Sequence, residues 1–309
     1  MRPFRFGVQS STALGAASWR GHARKLEELG YSTLFMPDHF DDQWSPLVAL
    51  TVAAEATSRL KVGSLVFDND YRHPLVLARE CATLDLVSEG RLEVGLGAGW
   101  LRSDYEASGI AYEGPGGRIA RLEEAIRVVK ALWSDECVDF DGTSYHLKGA
   151  RCAPRPHTAG GPPLLIGGGG RRMLRLALRY ADIIGVNALL TSGAVDAETV
   201  ASVSAARFAE RIEWLREAAG DRFGQLELQS LTFVTKLGPP KAETADELAR
   251  AFGLPPEDAL GSPAILIGTE DEIVETLVER RERMGFSYWV LHDGDVDDFA
   301  PVVARLAGT

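Results

Sequence analysis

Four short apolar runs in this chain stop in the same way, and that shared ending constrains the fold more than any other feature. RLEVGLGAGW (Arg91 to Trp100) carries a strand-like stretch, Leu92 to Leu96, that runs into Gly97 and Gly99. LFMPDHF ends at Asp38 and His39, PLLIGGGG ends at Gly167 to Gly170, and YWVLHD ends at His292 and Asp293. Reactive or glycine-rich residues gathered at the C-terminal ends of successive strands are the signature of a barrel enzyme, whose βα loops build the site.

The rest of the chain keeps that rhythm. Apolar runs predict strands at Phe4–Val8, Ser32–Met36, Leu60–Val66, Leu92–Leu96, Leu164–Ile166, Asp182–Val186, Leu226–Val234 and Tyr288–Leu291. Helices are predicted between them. Trp19–Leu29 stops at Gly30, and Ser45 and Pro46 open a helix to Thr57 as N-cap and first residue. Pro74–Val87 follows, and Gly117–Trp133 puts Ile119, Leu122, Ile126, Val129 and Trp133 on one face. Arg171–Tyr180, a long polar helix over Asp196–Ala219, and Phe299–Leu306 complete the set with a helix that Thr269 and Glu272 open as a capping box and Gly285 ends. Two stretches break the alternation. Asp135 to Pro163 contains a hairpin with Asp141-Gly142 at its turn, and Lys236 to Pro263 contains a short helix over Ala245–Phe252. The expected fold class is α/β, a (β/α)8 TIM barrel forming one domain over 1–309, with excursions after the fourth helix and after the seventh strand. A doubly wound open sheet is the alternative, and it would call for an earlier domain break.

Composition narrows the partners. A net charge of -11 argues against nucleic acid or an anionic membrane, since both need a basic surface. The start lacks the apolar core of a signal peptide, and no run approaches the ~20 apolar residues of a membrane span. Cys81, Cys137 and Cys152 are few and far apart, which fits a reduced, cytoplasmic protein. No His-x-His, His-Glu-x-x-His or Cys-x-x-Cys occurs, so no metal is expected. A serine-hydrolase elbow and a P-loop are absent too.

The residues at the strand ends are Gln9, Asp38, His39, Ser64, Gly97, Gly99, Trp100, Gly168 to Gly170, Asn187, His292 and Asp293. His39 is the one strong acid–base candidate, against the alternative of an idle loop histidine. Gly97 and Gly99 offer a surface that something flat can approach closely, with a weaker reading as a phosphate loop. Gly168, Gly169 and Gly170 precede the helix that starts at Arg171, which is either an anion site or a tight turn. Arg171, Arg172, Arg175 and Arg179 form a solvated face or a grip for an acidic ligand tail. His22, His146 and His157 read as surface or hairpin residues, and His73 as helix-entry structure.

Together these segments resemble the bacterial-luciferase-like flavin and deazaflavin oxidoreductases over nearly the whole chain. The resemblance rests on RPFRFGVQ, STLFMPDHF, RLKVGSLV, HPLVLARECATLDLVSEGRLEVGLGAGW, PPLLIGGGGRRMLRLALRYAD and ILIGTEDEIVETLVERRERMGFSYWVL. It implies coenzyme F420 at the C-terminal mouth of the barrel and hydride transfer to or from a small organic substrate. The alternative is FMN and a monooxygenase fed by a separate reductase. A homodimer is expected, and the resemblance implies Asp38 and His39 as catalytic residues. Ser64, Leu65, Gly97, Gly99, Gly168, Gly169, Gly170, Arg171 and Asn187 would hold the cofactor, and Trp44, Trp100 and His292 would face the substrate. It also implies a cis peptide bond at Ser64–Leu65. The chain departs from the sugar-phosphate dehydrogenases of that family at Trp100, where they place a catalytic glutamate.

Overall fold

Eight parallel strands close on themselves in the computed structural model, which describes residues 1–12, 14–253 and 255–309, without the side chains at 242, 243, 248, 251 and 252. They are β1 (Arg5–Gln9), β2 (Thr33–Met36), β3 (Lys61–Ser64), β4 (Leu92–Gly97), β5 (Leu164–Gly168), β6 (Ile183–Val186), β7 (Glu227–Leu231) and β8 (Phe286–His292). Each pairs with its neighbours in sequence, β8 pairs with β1, and β3 pairs with β4, so the ring is complete and has no free edge. This is the TIM barrel.

The barrel interior is filled by side chains in layers. Phe35, Leu65, Leu165, Ile183, Leu231, Tyr288 and Val290 form an apolar cluster of their own inside it. The Phe35 ring fits because Gly7 and Gly63 face it; a Cβ on either would come within 3.2 or 2.9 Å of ring carbons. Below this cluster, Arg5 pairs with Glu93 and with Glu227 (2.9 Å), and Lys61 with Glu93 at 3.0 Å. A cavity of about 370 Å³ opens at this end, beside Arg2, Lys61, Asp182 and Arg222. It lies at the N-terminal ends of the strands, the end that serves stability rather than catalysis in this fold.

The third strand carries the main irregularity. Gly63 lies opposite Glu93 and Phe67 opposite Leu96, so one extra residue is accommodated on the β3 side, a bulge over 64–66. The cis bond is Leu65–Val66, one residue later than expected. Ser64 is still in the ladder, opposite Met36, and its hydroxyl donates to the Gly95 carbonyl (2.8 Å). The irregular geometry therefore begins only after it.

Most helices fall where the periodicity puts them, with Pro74–Val87 and Arg171–Tyr180 matching residue for residue and the Thr269–Glu272 capping box formed on both sides. Four expectations need correction. Ser45 makes no side-chain cap, although Pro46 opens its helix. The long polar helix is two, Ala197–Ala201 and Ala205–Ala219, because Ser204 caps the second and Val203 turns into the core. The seventh strand ends at Leu231. Val234–Leu237 instead leaves the barrel and pairs in parallel with Ile265–Gly268, with helices Lys241–Phe252 and Pro256–Gly261 between them. Finally, the segment after β4 forms a helix over Arg102–Ser108, stopped by Gly109 in the left-handed conformation, where no helix is expected from the sequence. The first excursion holds the expected hairpin, Val138–Asp141 against His146–Ala150.

Candidate active site

The C-terminal mouth gathers most of the expected residues, but it uses them differently. His39 is central. Its Nδ1 lies 2.6 Å from Oδ2 of Asp104, a carboxylate only 4% exposed on the Arg102–Ser108 helix. The Tyr71 hydroxyl donates to the same oxygen at 3.2 Å, and the Phe40 amide donates to Oδ1 at 3.2 Å. The Trp100 ring meets the imidazole edge-on, at 5.9 Å and 88°. Phe40 covers Tyr71, with ring centroids 4.5 Å apart. Sequence reasoning missed Asp104. The signal available was a short amphipathic segment closed by Gly109.

Asp38, expected to be catalytic, is committed elsewhere. Arg72 holds it through both guanidinium nitrogens, with Nη2 to Oδ1 at 3.0 Å, and the Asp68 amide donates to Oδ2 at 3.0 Å. A carboxylate held bidentately in this way fixes the loop beside His39.

The fourth-strand glycines are a second correction. A Cβ at Gly95 would lie 2.0 Å from the Ser64 carbonyl oxygen, and one at Gly97 would lie 2.5 Å from Val66 Cγ2. Gly99 has φ +72°, and a Cβ on it would lie 1.8 Å from the Tyr105 hydroxyl. These glycines make room for the protein's own β3 bulge and for Tyr105, so the close approach they allow is internal. Ser64 is fully buried and also structural, since its Oγ accepts from the Phe67 amide at 3.1 Å. The bulge itself reaches the mouth. Leu65 tops the interior cluster with half-buried Val66 against it, and Gln9 of β1 donates across to the Leu65 carbonyl at 2.6 Å.

Gly168 to Gly170 lead into the Arg171 helix, whose first turn has no side-chain cap. Its orphan N–H groups are therefore available to an anion. Gly169 is wedged against the Asn187 and Ala188 carbonyls, and the Asn187 amide donates to the Gly168 carbonyl at 3.2 Å. Arg211, unforeseen from sequence, donates to the carbonyls of Gly169 (2.9 Å) and Ser202 (2.7 Å). No carboxylate among the described residues pairs with it, and burial pulls its guanidinium below its usual value. The Arg171 side chain points elsewhere, to Glu210 at 3.3 Å, and Arg179 pairs with Glu123. Only the main chain of Arg171 belongs to the loop.

Trp44 packs on Trp19 (5.8 Å between centroids) and is half-buried there. His292 sits at the rim, in register with Gln9. His22 is not a free surface residue, because its Nε2 meets the Ser10 hydroxyl at 3.0 Å and Asp293 at 3.1 Å. His73 accepts from the Leu75 amide and caps its helix, as read.

Behind His39 lies a cluster of acids. Tyr105 donates to Asp70 at 3.0 Å and to Asp68 at 3.3 Å, and Arg121 clamps Asp70. Burial, with Asp70 and Asp38 nearby, pushes the Asp68 carboxyl up to about 7. The folded chain then keeps a proton that the unfolded chain releases near pH 4. Stability from this group is present below pH 4 and is lost as pH rises towards 7. Asp68→Asn keeps the oxygen that accepts from the Asp70 amide and removes the titration. Its melting temperature should fall less between pH 4 and 8 than the wild type's, by several degrees, since each pH unit between the two values is worth about 1.4 kcal/mol. Parallel melting curves would show that Asp68 is ionised throughout.

Comparison with known proteins identifies the lineage. The model of the luciferase-like monooxygenase family matches residues 1–220. The chain belongs to that family. An F420-dependent glucose-6-phosphate dehydrogenase of Amycolatopsis mediterranei (strain U-32) is 31% identical over 181 residues, which cover 56% of this chain and 52% of that protein. A phthiodiolone/phenolphthiodiolone dimycocerosates ketoreductase of Mycobacterium bovis (strain BCG / Pasteur 1173P2) is 33% identical over 193 residues, 58% of this chain and 49% of that one. The chain thus spans about half the length of these relatives. A coenzyme F420-dependent tetrahydromethanopterin reductase from Methanopyrus kandleri shares the fold, with a TM-score of 0.76 at 18% identity over 99% of this chain and 98% of that one. No described helix is long and apolar enough to cross a membrane.

Proposed function

We propose that this chain is an oxidoreductase that binds coenzyme F420 at the mouth of the barrel and exchanges a hydride between it and a small organic substrate. The observation that carries the reading is the clamped imidazole of His39, on the buried Asp104 and beside Trp100, at the mouth where the β3 bulge emerges. Named relatives that use F420 support the choice of cofactor. The residues fit such a group. Leu65 and Val66 offer an apolar floor for a flat ring, and the uncapped turn at Arg171 with the cation of Arg211 suits a phosphate.

When bound, F420 supplies a two-electron hydride carrier that reacts poorly with oxygen. The chain supplies position and a proton. Gly168 to Gly170 and the neighbouring amides hold the phosphate, Leu65 and Val66 exclude water from one face, and His39 gives or takes the proton at a substrate oxygen. Asp38 fixes the loop that carries His39. The sequence resemblance puts Trp100 where the family's sugar-phosphate dehydrogenases place a glutamate, so the reading stops at a small organic molecule and does not extend to glucose 6-phosphate.

The family's description as monooxygenases favours a second reading, reduced FMN supplied by a separate reductase. Anaerobic titration with each cofactor, read by fluorescence quenching, separates the two. F420 binds more tightly on our account, and tighter FMN binding at physiological salt would overturn it. Gly169→Val tests the cradle, because its side chain would strike the carbonyls of Asn187 and Ala188. F420 affinity should weaken by on the order of 1–3 kcal/mol. A folded variant with unchanged affinity would remove the assignment.

We further propose a homodimer. Helix Pro46–Ala56 is apolar almost all round, and it exposes Val48 beside the helix Pro74–Val87, which exposes Val76 and Val87. A second copy seated there would cover these side chains. Three unpaired thiols accord with a reducing, cytoplasmic location.

A further inference from the structure

The hydrogen-bond set around Asp104 determines more than the place of His39. We infer that Asp104 is a positioning residue that fixes the tautomer of His39, holding the proton on Nδ1 and leaving Nε2 as the acceptor presented at the barrel mouth. The catalytic meaning of this rests on the functional reading above, while the tautomer itself does not.

An ionised carboxylate only accepts. Oδ1 of Asp104 takes the Phe40 amide at 3.2 Å, and Oδ2 takes the Tyr71 hydroxyl at 3.2 Å. The third close contact, Nδ1 of His39 at 2.6 Å, has to donate as well, because a bare ring nitrogen there would set its lone pair against an oxygen. The carboxylate is 4% exposed, so water does not compete for it. Nε2 of His39 has no partner among the described residues, and the side chain is 21% exposed. The edge-on contact with Trp100 opposes a ring flip that would exchange the two nitrogens. Trp100 and Asp104 arrive together, since the segment after β4 turns at once into the Arg102–Ser108 helix. That short helix therefore supplies both the wall and the orienting group for one imidazole. A neutral His39 set in this way takes a proton at Nε2. Once charged, it returns the proton from the same atom, with Asp104 stabilising the cation.

The test is nitrogen-15 NMR of the full chain with labelled histidine, without cofactor, at a pH where the ring is neutral. The His39 signals are assigned by their loss in His39→Gln. The wild type should show the Nδ1–H form as the dominant tautomer. Asp104→Asn places an amide that can donate to Nδ1, and it should convert His39 mainly to the Nε2–H form. A wild-type His39 already in the Nε2–H form would overturn the inference without any variant. So would an Asp104→Asn protein that folds and leaves the tautomer unchanged. In the loaded enzyme, Asp104→Asn should keep the F420 dissociation constant within about threefold and lower turnover by roughly 10²-fold or more, as when a triad histidine is held in the wrong tautomer. If turnover is unchanged while the tautomer has switched, Asp104 has no positioning role in catalysis. If F420 does not bind the wild type at all, the functional reading fails and the tautomer measurement stands.

Discussion

Replacing His39 with alanine should leave F420 affinity within a few-fold of the wild type and lower turnover by roughly 10²–10⁴, the usual contribution of a general acid or base. The expectation follows from geometry. The cofactor contacts proposed here come from the β3 bulge and the Gly168–Gly170 loop, and His39 belongs to neither. The variant also strands little. Asp104 keeps the Tyr71 hydroxyl and the Phe40 amide, so it stays partly satisfied. Stopped-flow measurement of hydride exchange, with the dissociation constant determined on the same preparation, separates binding from chemistry. A full rate in the alanine variant would reduce His39 to a wall of the pocket.

The second large effect lies at the other end of the barrel. Arg5→Met should destabilise the fold by about 3 kcal/mol at pH 7, because it strips the main counter-charge from a fully buried Glu93. Lys61 at 3.0 Å and the Tyr288 hydroxyl at 3.0 Å remain, which keeps the loss at the low end for a broken buried pair. The two carboxylates that share Arg5 respond differently. Burial works against ionising Glu93, but Arg5 and Lys61 outweigh it and hold the carboxyl below its usual value. Among the described residues Glu227 has Arg5 alone at contact distance, and burial with Glu93 nearby pushes it up. A lowered Glu93 contributes stability above the unfolded value near 4.5, and that stability is lost as pH falls through the folded one. The gap between wild type and variant should therefore be widest at neutral pH and narrow below about pH 4.5. Urea unfolding at pH 7 and pH 4 measures it. An equal gap at both would mean that Arg5 acts by packing over the Tyr288 ring, 4.1 Å away, rather than by charge.

The barrel was legible because its periodicity is local. Each apolar run and each stop, such as Pro74 or Gly285, is written in a dozen residues. The third-strand bulge was legible only through family resemblance, and one residue off, because the ladder bond of Ser64 lies in its partner strand. The glycines of LEVGLGAG looked like a seat for a ring. Their Cβ positions are instead taken by Ser64, Val66 and Tyr105, contacts that no sequence window contains. The same holds for the site. His39 stood out, but Asp104 is 65 residues away, and Arg72 is 34 from the Asp38 that it neutralises. Arg211 reaches the glycine loop from a helix 42 residues later. Partners brought in by the closing of a ring leave no pattern along the chain.

A crystal structure of the chain soaked with F420 tests the central claim most directly. The ring should lie against Leu65 and Val66, on the side of the barrel that carries His39. The phosphate should sit on the first-turn amides of the Arg171 helix, at hydrogen-bond distances of about 2.7–3.2 Å. A ring bound elsewhere, for instance in the cavity beside Arg2, Lys61 and Arg222 at the opposite end, would contradict it.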